Sequence, residues 1–455
     1  MTKSKKIIFI VSALIVISML FIPPFYGKGD DGSFYNVLLE NGLYNQEGAD
    51  TSYFNSVYGV SQNAESTFLP ITLAKVLCGF VTTVVFDIRV LGALYLPLFL
   101  AGLYLVIRGI HIKNKIAETV ICTVAAIILC DVGYFSYLNS LYYDALYICA
   151  LILMTGAALN LKNEKGISLP CAILLAAASA IMAFYGVSGL ITGVLVGVFL
   201  PLGDFLRKNI KAETLICGVL ITVISAGCFL AAPKGESSEV KLYGRVIDGA
   251  LYNTDTPSED LEALGIDPSY ETFMGLSYYD ALKGEGVLNP GFKAELEKVD
   301  ESDALLFYIK NPSRFINVLS DAGKNAPFLT QSYIKTQSNS DYFIKKAPSI
   351  WSFCRRFLTP ASFPILLLVS AVVLLWSVIL LKKDSKIALA GILLSVSNMV
   401  FFVATILSGG LMGISRNLIL HQLTFDMMVI LILVYGVNLA IEKRQELQDK
   451  YGVNQ

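Results

Sequence analysis

Charged residues and histidines are scarce in this chain of 455 residues. Asp, Glu, Lys and Arg make up only 16% of it, whereas hydrophobic residues make up 55%. Soluble globular proteins carry about 25% charged residues, so the composition excludes an ordinary water-soluble protein and indicates a membrane protein. The net charge is −1 and no basic patch is present, which argues against a nucleic-acid partner.

The same scarcity limits cofactor chemistry. His111 and His421 are the two histidines, so no histidine-based metal site can form. We therefore predict no metal site, although a divalent cation held by carboxylates stays open. Seven of the eight cysteines lie in apolar runs and only Cys354 borders an exposed segment, which excludes a disulfide framework. No phosphate loop or dinucleotide fingerprint occurs, so no nucleotide cofactor is expected.

Long apolar runs are abundant. Runs of about 18 or more apolar residues can cross a hydrocarbon core, and the sequence contains ten. They are 7–23, 90–107, 117–135, 141–160, 168–185, 188–205, 214–232, 361–381, 387–408 and 417–440. An eleventh run, 69–86, is ambiguous because Thr72 and Lys75 interrupt it. The predicted fold class is an all-α polytopic membrane protein with about ten transmembrane helices.

Basic residues predict how these spans are oriented. Lys3, Lys5 and Lys6 precede the first span, and Lys443 and Arg444 follow the last. Basic loops stay in the cytoplasm, so both termini are predicted to be cytoplasmic and the number of spans even. No small-residue cleavage site follows the first span, which we therefore interpret as an anchor. The predicted location is the cell membrane, as a multi-pass protein.

Alternation of ten spans divides the chain into three predicted regions. Residues 1–232 form an N-terminal membrane module with spans 1–7 and a first outer loop, 24–89. Residues 233–358 form a small, mainly helical extracytoplasmic domain. Residues 359–455 form a C-terminal membrane module with spans 8–10 and a short cytoplasmic tail.

Local signals in the extracytoplasmic domain predict helices. Thr256 and Glu259 predict a capping box around a helix that Gly265 ends. Two further helices should be separated at Asn311–Pro312, because the residue before a proline disfavours the α region. Their predicted apolar faces carry Leu305, Leu306, Tyr308, Phe315 and Val318.

The order of segments resembles the GT-C superfamily of membrane glycosyltransferases, which use polyprenyl-phosphate sugars as donors. That pattern has an acidic pair in the first outer loop, a proline-containing amphipathic "jaw" helix and an arginine-led second span. An aromatic outer loop ending in an acid and an arginine opening the last span follow. The matching segments are "GDDGSFY" (29–35), "ESTFLPITLAKVL" (65–77), "DIRVLGALYLPLFLAGLYLVIRGI" (87–110), "YFSYLNSLYYDALYI" (134–148) and "SRNLILHQLTF" (415–425). The resemblance implies that 69–86 is a jaw helix and not an eleventh span.

Three shorter segments are similar to hexose transferases of bacterial surface-glycan biosynthesis. They are "YFNSVYGVSQ" (53–62), "DGALYNTDTPSEDLEALGIDPSYETFMG" (248–275) and "FYIKNPSRFINVL" (307–319). In one respect the chain departs from the superfamily: Val60 stands where many members carry an acid, so that position cannot be catalytic. The resemblance implies a hexosyltransferase acting at the extracytoplasmic face.

Glycosyl transfer from a lipid phosphate needs a carboxylate base for the acceptor hydroxyl. Asp31, or less favoured Asp30, has the position for this role, although "GKGDDGS" also suits a solvated acidic turn. Asp144, at the mouth of the fourth span, is the third catalytic candidate. It could instead only interact with the helix dipole, and its neighbour Tyr143 could be an interface anchor. We predict substrate contacts for Tyr143.

Cationic groups would hold the leaving phosphate, and Lys75 and Arg416 are the candidates. Lys75 could instead extend to the lipid headgroups. Arg416 could merely end a loop, and His421 could be a packed polar residue. Glu65 opens the jaw segment and could be a helix-start acid. All four are predicted substrate-binding residues.

The leading prediction is a transferase that moves a hexose from a polyprenyl-phosphate donor to a cell-surface glycan acceptor, with the lipid bilayer as its third partner. A glycan-lipid flippase or transporter, a polysaccharide polymerase and a non-catalytic glycan-assembly subunit are the alternatives. Transporters tend to place paired ionisable residues near the bilayer midplane, whereas the acids here cluster on one side.

Overall fold

The structure is a computed structural model. It describes residues 1–22, 24–28, 38, 41–45, 51–55, 69–163, 166–206, 211–232, 239–282, 288–329, 334–336 and 349–451. Asp30, Asp31 and Glu65 lie outside the described residues.

The N-terminal membrane module is built from helices joined by short connections. The helices are α1 (Lys3–Phe21), α2 (Leu69–Gly79), α3 (Arg89–Gly109), α4 (Lys115–Leu129), α5 (Val132–Phe135), α6 (Asp144–Asn160), α7 (Leu169–Ala183), α8 (Val187–Leu206) and α9 (Ala212–Ala231), with a 3₁₀ helix at Ser136–Asn139. Asn114 caps α4, because its side-chain oxygen accepts hydrogen bonds from the backbone N–H groups of Ile116 and Ala117.

The middle of the chain contains shorter helices. They are α10 (Glu239–Arg245), α11 (Pro257–Ala263), α12 (Tyr278–Ala281), α13 (Pro290–Leu296), α14 (Glu301–Lys310) and α15 (Pro312–Asn325), with a π-helix at Val246–Ala250 and a 3₁₀ helix at Pro268–Phe273. The chain continues with α16 (Ile350–Leu358), α17 (Phe363–Leu380), α18 (Ser385–Gly409), α19 (Ile414–Asn417) and α20 (Ile419–Tyr451).

The described strands are short and antiparallel. They are β1 (Phe25–Gly27), β2 (Leu43–Asn45), β3 (Ser52–Asn55), β4 (Val85–Asp87), β5 (Lys162–Asn163), β6 (Gly166–Ile167) and β7 (Ile334–Thr336). β1 pairs with β7, β3 lies between β2 and β4, and β5 pairs with β6. The protein is thus mostly helical, as predicted.

Each predicted span coincides with a helix. Among the described residues, seven helices are long and apolar enough to cross a membrane, and an eighth span results if the bent pair Lys115–Leu129 and Val132–Asn139 counts as one. Two further predicted spans correspond to the shorter apolar helices Asp144–Asn160 and Leu169–Ala183. The all-α polytopic membrane fold is confirmed; the three domain boundaries stay predictions.

The jaw segment differs from the prediction of a helix over 69–86. α2 ends at Gly79, and the β-branched residues that follow lead into β4, which pairs with β3. Glycine weakens a helix, and valine and threonine favour extended backbone. α2 exposes Leu69 and Val76 while Ile71 is buried, so the shortened helix is still amphipathic.

The first and last helices both contact α4 or the segment just before it at one end of the bundle, which we call the terminal end. Lys5 of α1 forms a buried ion pair of 2.8 Å with Glu118 of α4. Lys113 lies 3.0 Å from Glu442 of α20, and Asn438 donates to the backbone oxygen of His111. The opposite end, where α1 runs into β1, is called the distal end below.

Local predictions for the middle of the chain are partly correct. α14 ends at Lys310 and α15 begins at Pro312, as the proline indicates. Thr256 stands at the N-cap of α11 but its side chain makes no cap hydrogen bond. Leu306 is 54% exposed although it was predicted on an apolar face, whereas its neighbours Phe307 and Tyr308 are buried.

Candidate functional site

The chain leading to the acidic pair is fixed at the distal end. Gly27 of β1 forms a parallel bridge with Ser140. Asn139 donates hydrogen bonds from its side-chain amide to the backbone oxygens of Leu20 (2.7 Å) and Phe25 (2.9 Å). A Cβ at Gly27 would lie 3.2 Å from the Cβ of Ser140, so glycine permits this close approach. The last described residues before Asp30 are therefore held beside the segment that leads to Asp144.

Asp144 is the first residue of α6. A carboxylate in the first turn of a helix interacts favourably with the helix dipole. The turn before it is ordered by the Ser140 Oγ, which accepts a hydrogen bond of 2.9 Å from the Tyr142 backbone N–H. Asp144 is partly exposed and lies within electrostatic reach of two cations, Arg416 and Lys241. The position predicted for a catalytic acid is thus the negative centre of a charged cluster.

Arg416 approaches Asp144 from the opposite end of the sequence. It lies in α19, after a turn in which Gly410 and Gly413 have positive φ angles of 58° and 59°. Its guanidinium stacks over the Tyr142 ring at 4.4 Å from the centroid, and its Nη2 donates to the Asn417 side chain at 3.1 Å. These contacts orient a half-buried cation beside Asp144.

Lys241 of α10 is the third charged member, and sequence reasoning missed it. Its side chain keeps contact with solvent, yet burial among protein atoms lowers the pKa of its ammonium, while the negative charge of Asp144 opposes that shift. Lys241 is therefore placed among the protein groups that surround Asp144 and Arg416. In the sequence Lys241 looks like any surface lysine of a polar domain, so no local signal could have identified it.

Glycines bring Lys241 into the cluster. Gly244 of α10 packs against the end of α18, where a Cβ would clash with the backbone oxygen of Gly409 and lie 2.9 Å from the Cβ of Met412. The backbone N–H of Leu411 donates to the backbone oxygen of Asp248 at 3.0 Å. The helix that carries Lys241 is therefore held against the turn that leads to Arg416.

Aromatic residues border the cluster on the side of the bundle. Tyr147 of α6 packs edge-to-face on Tyr185 at 4.6 Å, and Tyr185 packs on Phe401 of α18 at 6.0 Å. Tyr143, predicted to contact substrate, directly precedes Asp144 and is partly exposed. Aromatic walls with a few convergent polar groups are typical of small-molecule sites.

Lys75 and His421, two of the predicted substrate-binding residues, make their described contacts away from the Asp144 cluster. The Lys75 ammonium on α2 donates to the backbone oxygen of Asn41. His421 is fully buried, with its Nδ1 3.1 Å from the Asn398 backbone oxygen and its ring 4.8 Å from Phe402. In the described part of the chain, no contact joins either residue to Asp144, Arg416 or Lys241. Their substrate roles stay predictions.

A second polar network, also missed from the sequence, lies inside the protein. Arg355 of α16 and Asp426 of α20 form an ion pair of 2.9 Å with both side chains at 0% exposure. The Tyr134 hydroxyl donates to Asp426 Oδ2 at 2.6 Å. The Trp351 indole N–H donates to the same oxygen. Each charge has its partner, which is how a protein interior tolerates a buried pair.

Among the residues that the structure describes, no group of three or more His, Cys, Asp or Glu side chains could hold a metal ion. The site offers one carboxylate and two cations together, which suits an anionic ligand better than a metal. No curated protein and no solved structure matches the chain. A model of the family described as YfdI N-terminal transmembrane domain matches residues 2–454, so the chain belongs to that family of membrane proteins.

Proposed function

We propose that this protein is a glycosyltransferase that moves a hexose from a polyprenyl-phosphate donor to a cell-surface glycan acceptor at the extracytoplasmic face. The observation that carries the proposal is the cluster of Asp144, Lys241 and Arg416 at the distal end. These residues come from three distant parts of the chain and lie within electrostatic reach of one another next to the membrane-spanning helices. The order of motifs that resembles the GT-C superfamily supports the same reaction.

In this proposal the two cations bind the phosphate of the donor. Transfer breaks the bond between the anomeric carbon and the phosphate oxygen, so negative charge builds up on the leaving phosphate. Arg416 offers planar N–H donors and Lys241 a compact ammonium, a combination that suits phosphate. The orientation of Arg416 by Tyr142 and Asn417 precedes binding, so little reorganisation is needed.

The carboxylates serve the acceptor. Asp31, or less favoured Asp30, takes the proton of the acceptor hydroxyl as its oxygen bonds to the anomeric carbon. Asp30 follows Gly27 by three residues, and Gly27 is held beside Ser140. Asp144 orients the acceptor, and its negative charge offsets the repulsion between the two cations. Lys75, Glu65 and Tyr143 complete the proposed contacts to donor and acceptor.

The charges inside the bundle give no support to the transporter alternative. Lys5 pairs with Glu118 at the terminal end, and Arg355 pairs with Asp426. The buried carboxylates of Asp131 and Asp204 accept hydrogen bonds from the hydroxyls of Ser352 and Thr214. A proton- or ion-coupled transporter needs ionisable groups that change partners during transport.

The test separates donor binding from chemistry. Protein in proteoliposomes is given short-chain polyprenyl-phosphate hexoses with labelled sugar and a panel of surface-glycan acceptors. We expect Arg416→Gln and Lys241→Gln each to weaken donor binding and to lower turnover by about 10²-fold, as loss of one preorganised charge contact does. Asp31→Asn should lower turnover by about 10²-fold or more with donor binding unchanged. Asp144→Asn should have a smaller effect.

Lys298→Gln is the control, because Lys298 is exposed and pairs with its near neighbour Glu295 on the surface of the middle region. If Arg416→Gln and Lys241→Gln bind donor as the parent chain does, the phosphate assignment is wrong. If the Asp30→Asn, Asp31→Asn double variant keeps normal transfer, neither aspartate is the base.

A further inference from the structure

One face of helix α16 is buried in the protein and the opposite face is exposed. Trp351, Ser352 and Arg355 are buried. Ile350, Phe353 and Phe357 follow the spacing of a single helical face and are 61%, 62% and 76% exposed. Leu358 is exposed beside them. The helix therefore presents a row of large apolar side chains away from the protein.

Hydrogen bonds and an ion pair hold the buried face of α16, so the helix cannot rotate about its axis. The backbone N–H of Ser352 donates to Asp131 Oδ2 at 2.9 Å and its hydroxyl donates to Oδ1 at 2.5 Å. Arg355 Nε donates to Asp426 Oδ1 at 2.9 Å. Removing one partner of a buried ion pair leaves the other charge buried and unpaired, which is strongly destabilising. The exposure of the apolar face is thus a fixed property of the fold.

The position of α16 indicates what covers this face. Four residues separate Leu358 from Phe363, where the membrane-spanning helix α17 begins. The first turns of α17 also present apolar side chains outward, with Ile365 and Leu368 48% and 62% exposed. The apolar face of α16 therefore continues towards a surface that lipid covers.

The composition of the face suits the boundary between headgroups and acyl chains. Aromatic and aliphatic side chains enter the upper acyl region, whereas arginine reaches the phosphates. Arg356 is exposed next to Phe357, and its guanidinium lies 5.9 Å from the Phe328 ring. Two phenylalanines each carry roughly 150–250 Å² of surface, so exposing this row to water would be costly.

We propose that α16 is an interfacial helix that rests in one leaflet of the bilayer, with Ile350, Phe353 and Phe357 inserted between lipid headgroups and acyl chains. The occupant of the apolar face is the lipid surface. The helix is held at that height by Asp131 and Asp426, and so sets the distance between the bilayer and the polar helices that precede it. This assignment is independent of the enzymatic reaction and moves α16 out of the water-exposed domain predicted over 233–358.

Tryptophan fluorescence tests the insertion. Phe353→Trp and Phe357→Trp are placed in nanodiscs whose phosphatidylcholine carries bromine either near the top or near the end of the acyl chains. The emission of the parent chain, with Trp351 and Trp376, is subtracted. We expect bromine near the top to reduce the added emission about twofold and bromine near the chain end to reduce it less, since interfacial helices bury their apolar face roughly 5–10 Å deep. Aqueous iodide should have little effect.

Glu262→Trp is the matched control, because Glu262 is exposed on α11, which packs on the 3₁₀ helix Pro268–Phe273. Iodide should quench it and brominated lipid should not. If Phe353→Trp and Phe357→Trp both behave like this control, α16 does not contact lipid and the proposal is wrong. Protection from iodide and from both lipids would assign the face to a protein partner and would overturn it as well.

Discussion

Asp248 is a carboxylate in unfavourable surroundings. It lies in the π-helix Val246–Ala250 and is half-buried, and no described side chain donates a hydrogen bond to its carboxylate. Burial raises its pKa from 3.8 to about 6, because the charged form loses hydration without gaining a partner. Between these two pH values the folded protein holds a proton that the unfolded chain releases. The contribution of Asp248 to stability is therefore present below pH 4 and is lost as the pH rises through about 6.

Asp248→Asn should stabilise the protein at neutral pH. Asparagine cannot ionise, so it avoids the cost that Asp248 carries when charged. We expect a gain of about 1–3 kcal/mol at pH 7.5, since one pKa unit corresponds to about 1.4 kcal/mol. At pH 4 the gain should vanish. Unfolding of the detergent-solubilised protein, followed across this pH range, measures both values.

Asp267 is the control for this comparison. Its exposed carboxylate accepts a hydrogen bond from the Ser269 backbone N–H, which lowers its pKa. Asp267→Asn should therefore bring no gain at pH 7.5. If the free energy of unfolding varies with pH in the same way for the parent chain and for Asp248→Asn, the Asp248 carboxylate titrates normally and the prediction is wrong.

Close contacts between elements decide the geometry of the candidate site. The π-helix and α10 pack on the end of α18 through glycines, and Gly410 adopts φ 58° and ψ −139°. That backbone conformation is essentially restricted to glycine. A Cβ at Gly410 would clash with the backbone oxygen of Gly244 and lie 2.6 Å from the backbone nitrogen of Gly249. The contact leaves no room for any side chain.

Gly410→Ala should therefore separate α10 from α18. We expect a loss of at least about 1–2 kcal/mol from backbone strain alone, with a larger loss from the clash. Because α10 carries Lys241, donor binding should fall together with stability. Thermal unfolding and the donor-binding assay measure the two effects on the same preparation.

Gly436→Ala is the control for Gly410→Ala. Gly436 lies within α20 and a Cβ there would meet no atom within 4 Å. Alanine favours a helix over glycine by roughly 1 kcal/mol, so this variant should be as stable as the parent chain or more so. Equal stability of the Gly410→Ala variant would mean that the contact between α10 and α18 can relax.

The whole molecule has two chemically different ends. Lys5, His111, Lys113 and Glu442 meet at the terminal end, whereas the Asp144 cluster and α10 lie at the distal end. The basic residues Lys5 and Lys113 belong to the terminal end, which the positive-inside rule places in the cytoplasm. We therefore predict that the distal end faces the outside of the cell.

Cysteine labelling tests this orientation. An impermeant maleimide should label Asp255→Cys, in an exposed bend of the middle region, in intact cells. Lys115→Cys, exposed at the start of α4, should react only after permeabilisation. The parent chain measures reaction at its eight native cysteines. Labelling of Lys115→Cys in intact cells, or of both variants under the same condition, would contradict the predicted topology.

The membrane helices were predictable from the sequence alone. A bilayer demands long apolar segments with satisfied backbone hydrogen bonds, so each apolar run had to form a helix. Asp144 and Arg416 were identified from the resemblance to the GT-C pattern, and Asp144 also because an ionisable residue at the edge of a span is a functional candidate. The break before Pro312 was also predictable, since proline disfavours the α region at the residue before it.

Only the tertiary structure decided which of these residues work together. Lys241 joins Asp144 and Arg416 because Gly244 and Gly410 allow two backbones to touch, a contact between distant segments that no local pattern records. Arg355 and Asp426 likewise look unrelated in the sequence, yet they form a fully buried ion pair. Helical periodicity predicts which face of a helix is apolar but not what covers it. Leu306 and Phe353, for example, are exposed although each lies among apolar residues of its helix. What covers an apolar face depends on the packing of the whole chain.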